Sequence, residues 1–287
     1  MRAHIPAYEL VTVASLPEAL GLLAGEPGYW QPFAGGTDLM VLLEAGKLPH
    51  KNYVNIWALA ELRGIEVAEK HVTLGALTTY TDVQSHPVLR EEFPMLCQAA
   101  SETGGLAIQN RGTLGGNIVN ASPAADSPPA LLAYNAEVEL LSVRGSRWVP
   151  YAEFHTGYKE TVMQPDELLA HIRLPRLWPD LQHYYRKVGT RKAQAISKIC
   201  FAATARITDQ SVSLVRIALG SVAPIPLRCR KTEDALQGGR LDENAIAKAK
   251  DELSREIVPI DDIRSTKDYR LQVSLNVLDD FLHQLTA

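Results

Sequence analysis

Residues 113–126 read TLGGNIVNASPAAD. A glycine pair, Gly115 and Gly116, is followed by Asn117, and the stretch closes on Asp126 with almost no bulk between. Side chains this small leave backbone N–H groups open to a ligand. Both glycines are free to take positive φ, and successive N–H groups in such a turn form an anion-binding nest. A second small-residue stretch lies upstream, FAGGTDL at residues 33–39. Residues 31–34 read as a buried strand running into Gly35-Gly36, and Thr37 or Asp38 can cap a helix over 39–45. Strand, glycine pair and helix N-terminus together favour a phosphate, although the same succession is common in proteins that bind none. Two such stretches point to two walls of one cleft. A ligand with a diphosphate in its middle and rings at both ends would suit it.

The nucleotide folds with the best-known fingerprints are excluded. No G-x-G-x-x-G follows a strand, and no G-x-x-x-x-G-K-[ST] occurs. The 287 residues are enough for two domains. Apolar content of 46% and charged content of 22% describe an ordinary globular chain. A net charge of −4 argues against a nucleic-acid surface. No apolar run reaches the roughly 18–20 residues of a membrane span, and the N-terminus lacks a secretory core, so a cytoplasmic location is expected. Cys97, Cys200 and Cys229 are too scattered for a disulfide framework, a metal site or an iron–sulfur cluster. The eight histidines show no H-x-x-x-H spacing and read as structural or surface residues.

Outward from the glycine stretches, residues 10–13 read as a strand. Ser15-Leu16-Pro17-Glu18 is a capping box that opens a helix with Leu16, Ala19, Leu20 and Leu23 on one face. Residues 53–56 read as a strand, 65–67 and 72–74 as a hairpin, and 79–85 and 94–102 as helices. A short helix starts at Ser127. Alternation over 136–140 marks a strand with one wet face, and another runs over 166–174. Breakers at 175–180 mark a boundary. Beyond it come three strands (184–188, 199–207, 212–220), then three helices (231–236, 243–256, 268–285). Strands and helices segregated in this way indicate α+β.

The combination of AGGTDL at 34–39, TLGGNI at 113–118, ASPAAD at 121–126 and G-Y-x-x-T-x-x-x-P-D-E-L-L at 157–169 resembles the FAD-binding medium subunit of the molybdenum hydroxylases. This is the family of xanthine dehydrogenase and carbon monoxide dehydrogenase. The resemblance spans essentially the whole chain, and the two glycine motifs in this order are what make it specific. It implies an α+β fold with two domains. Residues 1–176 would form a two-lobed FAD-binding domain of the vanillyl-alcohol oxidase type. Residues 177–287 would form a smaller α+β domain with a three-stranded antiparallel sheet and helices.

The resemblance also implies roles. The first flavin loop falls on Pro32, Phe33, Ala34, Gly35, Gly36, Thr37, Asp38 and Leu39, and the second on Thr113, Leu114, Gly115, Gly116 and Asn117. Asp126 matches an acidic residue on the flavin side, Leu169 packs near the ring system and Lys187 stands beside the cavity. Thr103 falls where some relatives carry an aromatic residue. Arg191, Lys192 and Lys198 lie on a segment that borders the flavin in relatives. FAD would be held non-covalently. Molybdopterin and iron–sulfur clusters would reside on partner chains, in a heterotrimer or its dimer, with NAD as acceptor of the electrons. Two other functions use similar features. One is a stand-alone FAD oxidoreductase, which often carries a covalent flavin link through His or Cys. The other is a non-catalytic nucleotide-binding module.

Overall fold

In the computed structural model, which describes residues 7–176, 180–191 and 194–286, the chain opens with a parallel sheet of strand order β1-β3-β2. Its strands are β1 (Glu9–Thr12), β2 (Trp30–Phe33) and β3 (Asn52–Asn55), connected through α1 (Leu16–Gly25) and α2 (Leu39–Glu44). Ser15 caps α1, its Oγ accepting from the Glu18 N–H, but the reciprocal half of the expected capping box is displaced by one residue: Glu18 Oε2 accepts from the Ala14 N–H at 2.7 Å, not from Ser15. Ala19, Leu20 and Leu23 then bury one face of α1 against Trp30 and Val54. Asp38 stands at the N-cap of α2, but its side chain makes no capping hydrogen bond.

The second lobe holds the hairpin β4 (Ile65–Val67) and β5 (His71–Gly75), then six helices. These are α3 (Tyr80–Ser85), α4 (Pro87–Glu92), α5 (Pro94–Glu102), α6 (Leu106–Gln109), α7 (Leu114–Val119) and α8 (Ser127–Ala133). Next come β6 (Glu137–Ser142), β7 (Gly145–Pro150), the small hairpin of β8 (His155–Gly157) and β9 (Glu160–Thr161), and β10 (Leu168–Pro175). The sheet order is β4-β5-β10-β6-β7, so the last strand made is the middle strand of the sheet. Ile172 of β10 pairs with Leu74 on one side and Val138 on the other. β10 starts two residues later than its sequence indicates. Asp166 and Glu167 are held out of the ladder by ion pairs to Arg144 and Arg147.

The C-terminal sheet runs β11 (Gln182–Val188), β12 (Ile199–Thr208), β13 (Ser211–Gly220) and β14 (Leu227–Arg228), all antiparallel. It has four strands where three were expected, because β14 contributes only two residues and offers no alternation to read. Three helices follow: α9 (Arg230–Leu236), α10 (Glu243–Glu256) and α11 (Lys267–Gln284). Asp242 and Thr266 cap α10 and α11. Alternation sorts β12 into two faces. Ile199, Phe201 and Ala203 pack on Leu253, Leu278 and Phe281. Cys200 and Ala202, with Ala218 of β13, pack into the core built around α5 and α8. These side chains are small, and helix and sheet approach closely there: a Cβ on Gly220 would stand 3.3 Å from the Pro123 carbonyl oxygen.

At the start of β8, His155 is 8% exposed. Its Nε2 meets the Tyr151 hydroxyl at 3.0 Å, and its Nδ1 has no partner. Burial pulls its pKa down to about 4. The folded state therefore keeps the ring neutral while the unfolded chain takes a proton near 6.5. Stability from this group is complete above pH 6.5 and is lost as pH falls towards 4, a change of about 3 kcal/mol. Urea titrations at pH 7 and pH 4.5 should show this loss in the wild type and a smaller one in His155→Gln. Equal losses would remove His155 as the cause.

Candidate functional site

A cavity of about 580 Å³ opens between the parallel sheet and the five-stranded sheet. Pro32, Ala34, Gly35 and Gly36 at the end of β2 line one wall, with Thr37, Asp38 and Leu39 at the start of α2. Thr113, Gly115, Gly116 and Asn117 line another, and Leu169 of β10 and Thr103 after α5 also reach the surface. The two glycine stretches, about 80 residues apart in sequence, thus meet at one cavity.

Four of the expected residues stand off it. Phe33 turns towards Tyr53, ring centroids 6.4 Å apart. Leu114 is fully buried in the core. Asp126 and Lys187 face each other instead: Lys187 Nζ lies 2.7 Å from Asp126 Oδ2 and 2.8 Å from the Glu102 carbonyl oxygen. The Ser197 hydroxyl donates to the other carboxylate oxygen. Tyr185 OH donates to the Asp126 main-chain oxygen at 3.2 Å. This cluster ties α8 to the C-terminal sheet. Burial pushes the Asp126 carboxyl upward, against the lowering effect of Lys187. Arg191 and Lys198 are not on the cavity wall either: Arg191 Nε donates to the Gln194 carbonyl oxygen at 2.9 Å, and Lys198 lies over the Tyr269 ring. Lys192 and residues 177–179 of the expected boundary lie outside the described residues.

The backbone corrects one expectation. Residues 114–119 are a helix, α7, and neither Gly115 nor Gly116 has positive φ. Their N–H groups are also taken. Leu114 N–H donates to Thr78 O, Gly115 N–H to Ala76 O, and Gly116 N–H to Thr113 Oγ1. Thr113 acts here as an N-cap. The smallness of Gly115 serves packing, since a Cβ there would lie 2.7 Å from Ala76. The open donors are on the other stretch. Among the described residues, the N–H groups of Gly35, Gly36, Thr37, Asp38 and Leu39 donate to no protein acceptor. Gly36 supplies the positive φ, at +76°. A Cβ on Gly35 would overlap the Arg111 carbonyl oxygen, so the two cavity walls touch backbone to backbone there.

On the α7 wall, Asn117 Oδ1 is buried with no hydrogen-bond partner. An orphaned acceptor beside a run of free donors is what a ligand with donor and acceptor groups would satisfy. Sequence reading missed the aromatic part of the wall, Trp30, Tyr53 and Tyr80, which belong to no motif. It also missed Gly112, where a Cβ would crowd the Tyr80 ring at 2.9 Å. Its place one residue before Thr113 was the available signal. Among the described residues no group of His, Cys, Asp and Glu could hold a metal ion, and no helix is long and apolar enough to cross a membrane.

Comparison with known proteins agrees with this geometry. Residues 6–177 match the family described as FAD binding domain in molybdopterin dehydrogenase, and residues 183–285 match the CO dehydrogenase flavoprotein C-terminal domain. The chain is 34% identical over 265 residues to a putative xanthine dehydrogenase FAD-binding subunit of Escherichia coli K12, covering 91% of this chain and 89% of that one. It is 29% identical to the carbon monoxide dehydrogenase medium chain of Hydrogenophaga pseudoflava, covering 92% of each. A solved structure of carbon monoxide dehydrogenase from the same organism superposes with a TM-score of 0.92 over 96% of both chains, at 29% identity. The chain therefore belongs to the FAD-binding medium subunits of the molybdenum hydroxylases, the flavoprotein subunits of xanthine and carbon monoxide dehydrogenase-type oxidoreductases.

Proposed function

We propose that this chain takes electrons from iron–sulfur clusters on a partner chain and passes them through FAD to an external acceptor, NAD. The observation that carries the reading is the cavity, where free backbone donors on residues 35–39 oppose the orphaned Asn117 oxygen. The donors suit the diphosphate, and the aromatic residues Trp30, Tyr53 and Tyr80 with Leu169 suit the apolar ring system. FAD supplies the redox chemistry when bound; the protein supplies position and electrostatics. In this reading residues 1–176 form the flavin domain and 177–287 the second domain, braced together by Asp126 and Lys187. Partner chains carrying molybdopterin and the clusters complete a heterotrimer or its dimer. The relatives' printed names, medium chain and FAD-binding subunit, support that division of labour.

Non-covalent attachment is tested by acid precipitation. All yellow colour is expected in the supernatant, and colour kept in the pellet would show a covalent link. Lys187, counted at first among the cations beside the flavin, is neutralised by Asp126, which leaves Arg191 and Lys192 of that segment to attract an anionic acceptor. NADH should bleach the flavin of the FAD-loaded chain, more slowly as salt rises and in Arg191→Ala/Lys192→Ala. No bleaching at any ionic strength would remove NAD while leaving FAD binding intact.

A further inference from the structure

A second cavity, of about 470 Å³, lies between the end of α4, the residues flanking α5 and α8 (Phe93 and Tyr134), and the β11 and β13 strands of the C-terminal sheet. His183, Thr204 and Arg216 form one cross-strand row over β11, β12 and β13, so all three share the face turned towards α5 and α8. His183 and Arg216 line the cavity with Tyr134 and Phe93. Tyr134 OH meets His183 Nδ1 at 3.2 Å and accepts from the Met95 N–H at 3.1 Å.

Arg216 is the unusual member. It is only 8% exposed, yet among the described residues its guanidinium has neither an ion pair nor a hydrogen bond. The nearby Glu233 is committed to Arg228 and to the Ile217 N–H. Burial and the Arg228 charge pull the Arg216 pKa down to about 10, so it still carries its charge at neutral pH. Between His183 and Arg216, Thr204 Oγ1 is also buried without a partner. A buried cation without a hydrogen-bonded counter-ion destabilises the fold, and Glu233, which reaches Arg216 only through space, offsets part of that cost.

We propose that this cavity is a second ligand site, taking a small monocarboxylate whose two oxygens pair with the Arg216 guanidinium. The fork of the guanidinium matches a carboxylate bidentately. Phe93 and Pro175 offer apolar surface to the remainder of the ligand. The rim carries Glu69, Glu91, Glu92 and Asp180, with Arg176 already paired to Glu92. This excess of negative charge repels a dianion such as phosphate about twice as strongly as a monoanion, so the fork of Arg216 has less to overcome with a single carboxylate.

The test is thermal unfolding of the full FAD-loaded chain with sodium benzoate, sodium phosphate or sodium chloride at equal ionic strength. Benzoate at tenfold its dissociation constant should raise Tm by about 3 °C, and phosphate should not. Arg216→Met should unfold at a higher temperature than wild type without ligand, and lose the benzoate response, with flavin content unchanged. Arg216→Lys keeps the charge without the fork and should respond less than wild type. It keeps the test decisive should the methionine variant fail to fold. No benzoate response in wild type, an equal response in Arg216→Lys, or an equal response to phosphate would each overturn the assignment.

Discussion

A Gly116→Val protein is expected to fold normally and purify without colour. Gly116 lies in the first turn of α7, exposed on the cavity wall, and the only atom that a Cβ would crowd is Thr113 Oγ1 at 2.8 Å. Its φ is not positive, so valine meets no backbone strain. Helix propensity changes by only a few tenths of a kcal/mol in valine's favour, since glycine is the poorest former after proline. Against this, three added heavy atoms enter the space proposed for the cofactor. Flavin content should drop at least about tenfold, as expected when about 1.4 kcal/mol or more of binding is lost, while the circular dichroism spectrum and apoprotein Tm stay close to wild type. Gly35→Ala is the contrasting variant. Its Cβ would meet the Arg111 main chain rather than the cavity, so flavin and fold should fail together. A Gly116→Val protein with full flavin occupancy would show that the α7 wall does not touch the cofactor.

Lys187→Met should be the most damaging substitution at the junction of α8 with the C-terminal sheet. The Lys187 side chain is 1% exposed and Asp126 10%. Removing one partner of such a pair leaves an uncompensated buried charge, a loss of about 3–5 kcal/mol. For a chain of this size that corresponds to a Tm fall of roughly 5–8 °C. The sign of its pH dependence follows from Asp126. Its folded pKa is already pushed up by burial, and without Lys187 it rises further. The unfolded carboxyl ionises near its ordinary value, so the penalty grows as pH rises above that value and vanishes where Asp126 is protonated in both states. The deficit against wild type should therefore shrink from pH 7 to pH 5. Asp126→Asn/Lys187→Met, lacking both charges, should recover much of the loss with little pH dependence. A single variant as stable as wild type at pH 7 would show that the pair does not brace the junction.

The elements with strong periodicity or punctuation were legible in the sequence. The Ser15 cap of α1, the hairpin of β4 and β5, and the starts of α5 and α10 each rest on residues within one or two turns of chain. α4 was not read, since Pro87 and Pro94 look like breakers although each begins a helix at N1. α7 was read as an open loop because glycine is a poor helix former; tertiary bonds from Thr78 and Ala76, distant in sequence, hold its first turn instead. The cavity was legible as two glycine stretches because smallness shows in sequence. Which stretch keeps its donors free did not show, because that depends on partners brought in by β5 and its following turn. Asp126 reads as a helix cap from its position before Ser127-Pro128. Its actual partners, Lys187 and Ser197, come from more than 60 residues away, a separation that no local pattern carries.

The central place of β10 sets an order of events during synthesis. β5 ends at Gly75 and β6 at Ser142, but each must wait for the strand between them, completed at Pro175. At roughly 5–20 residues per second, the ribosome needs about 5 to 20 seconds to travel from β5 to the end of β10. For that interval β5 presents an open edge in the nascent chain, and β6 does so for about the last third of it, the kind of edge that pairs with a neighbour's. Stop codons placed between 142 and 168 should therefore give aggregated product, while the full-length chain should be recovered in the soluble fraction. The cavity proposed for the flavin, with Leu169 of β10 on its wall, cannot be complete before that strand has been made.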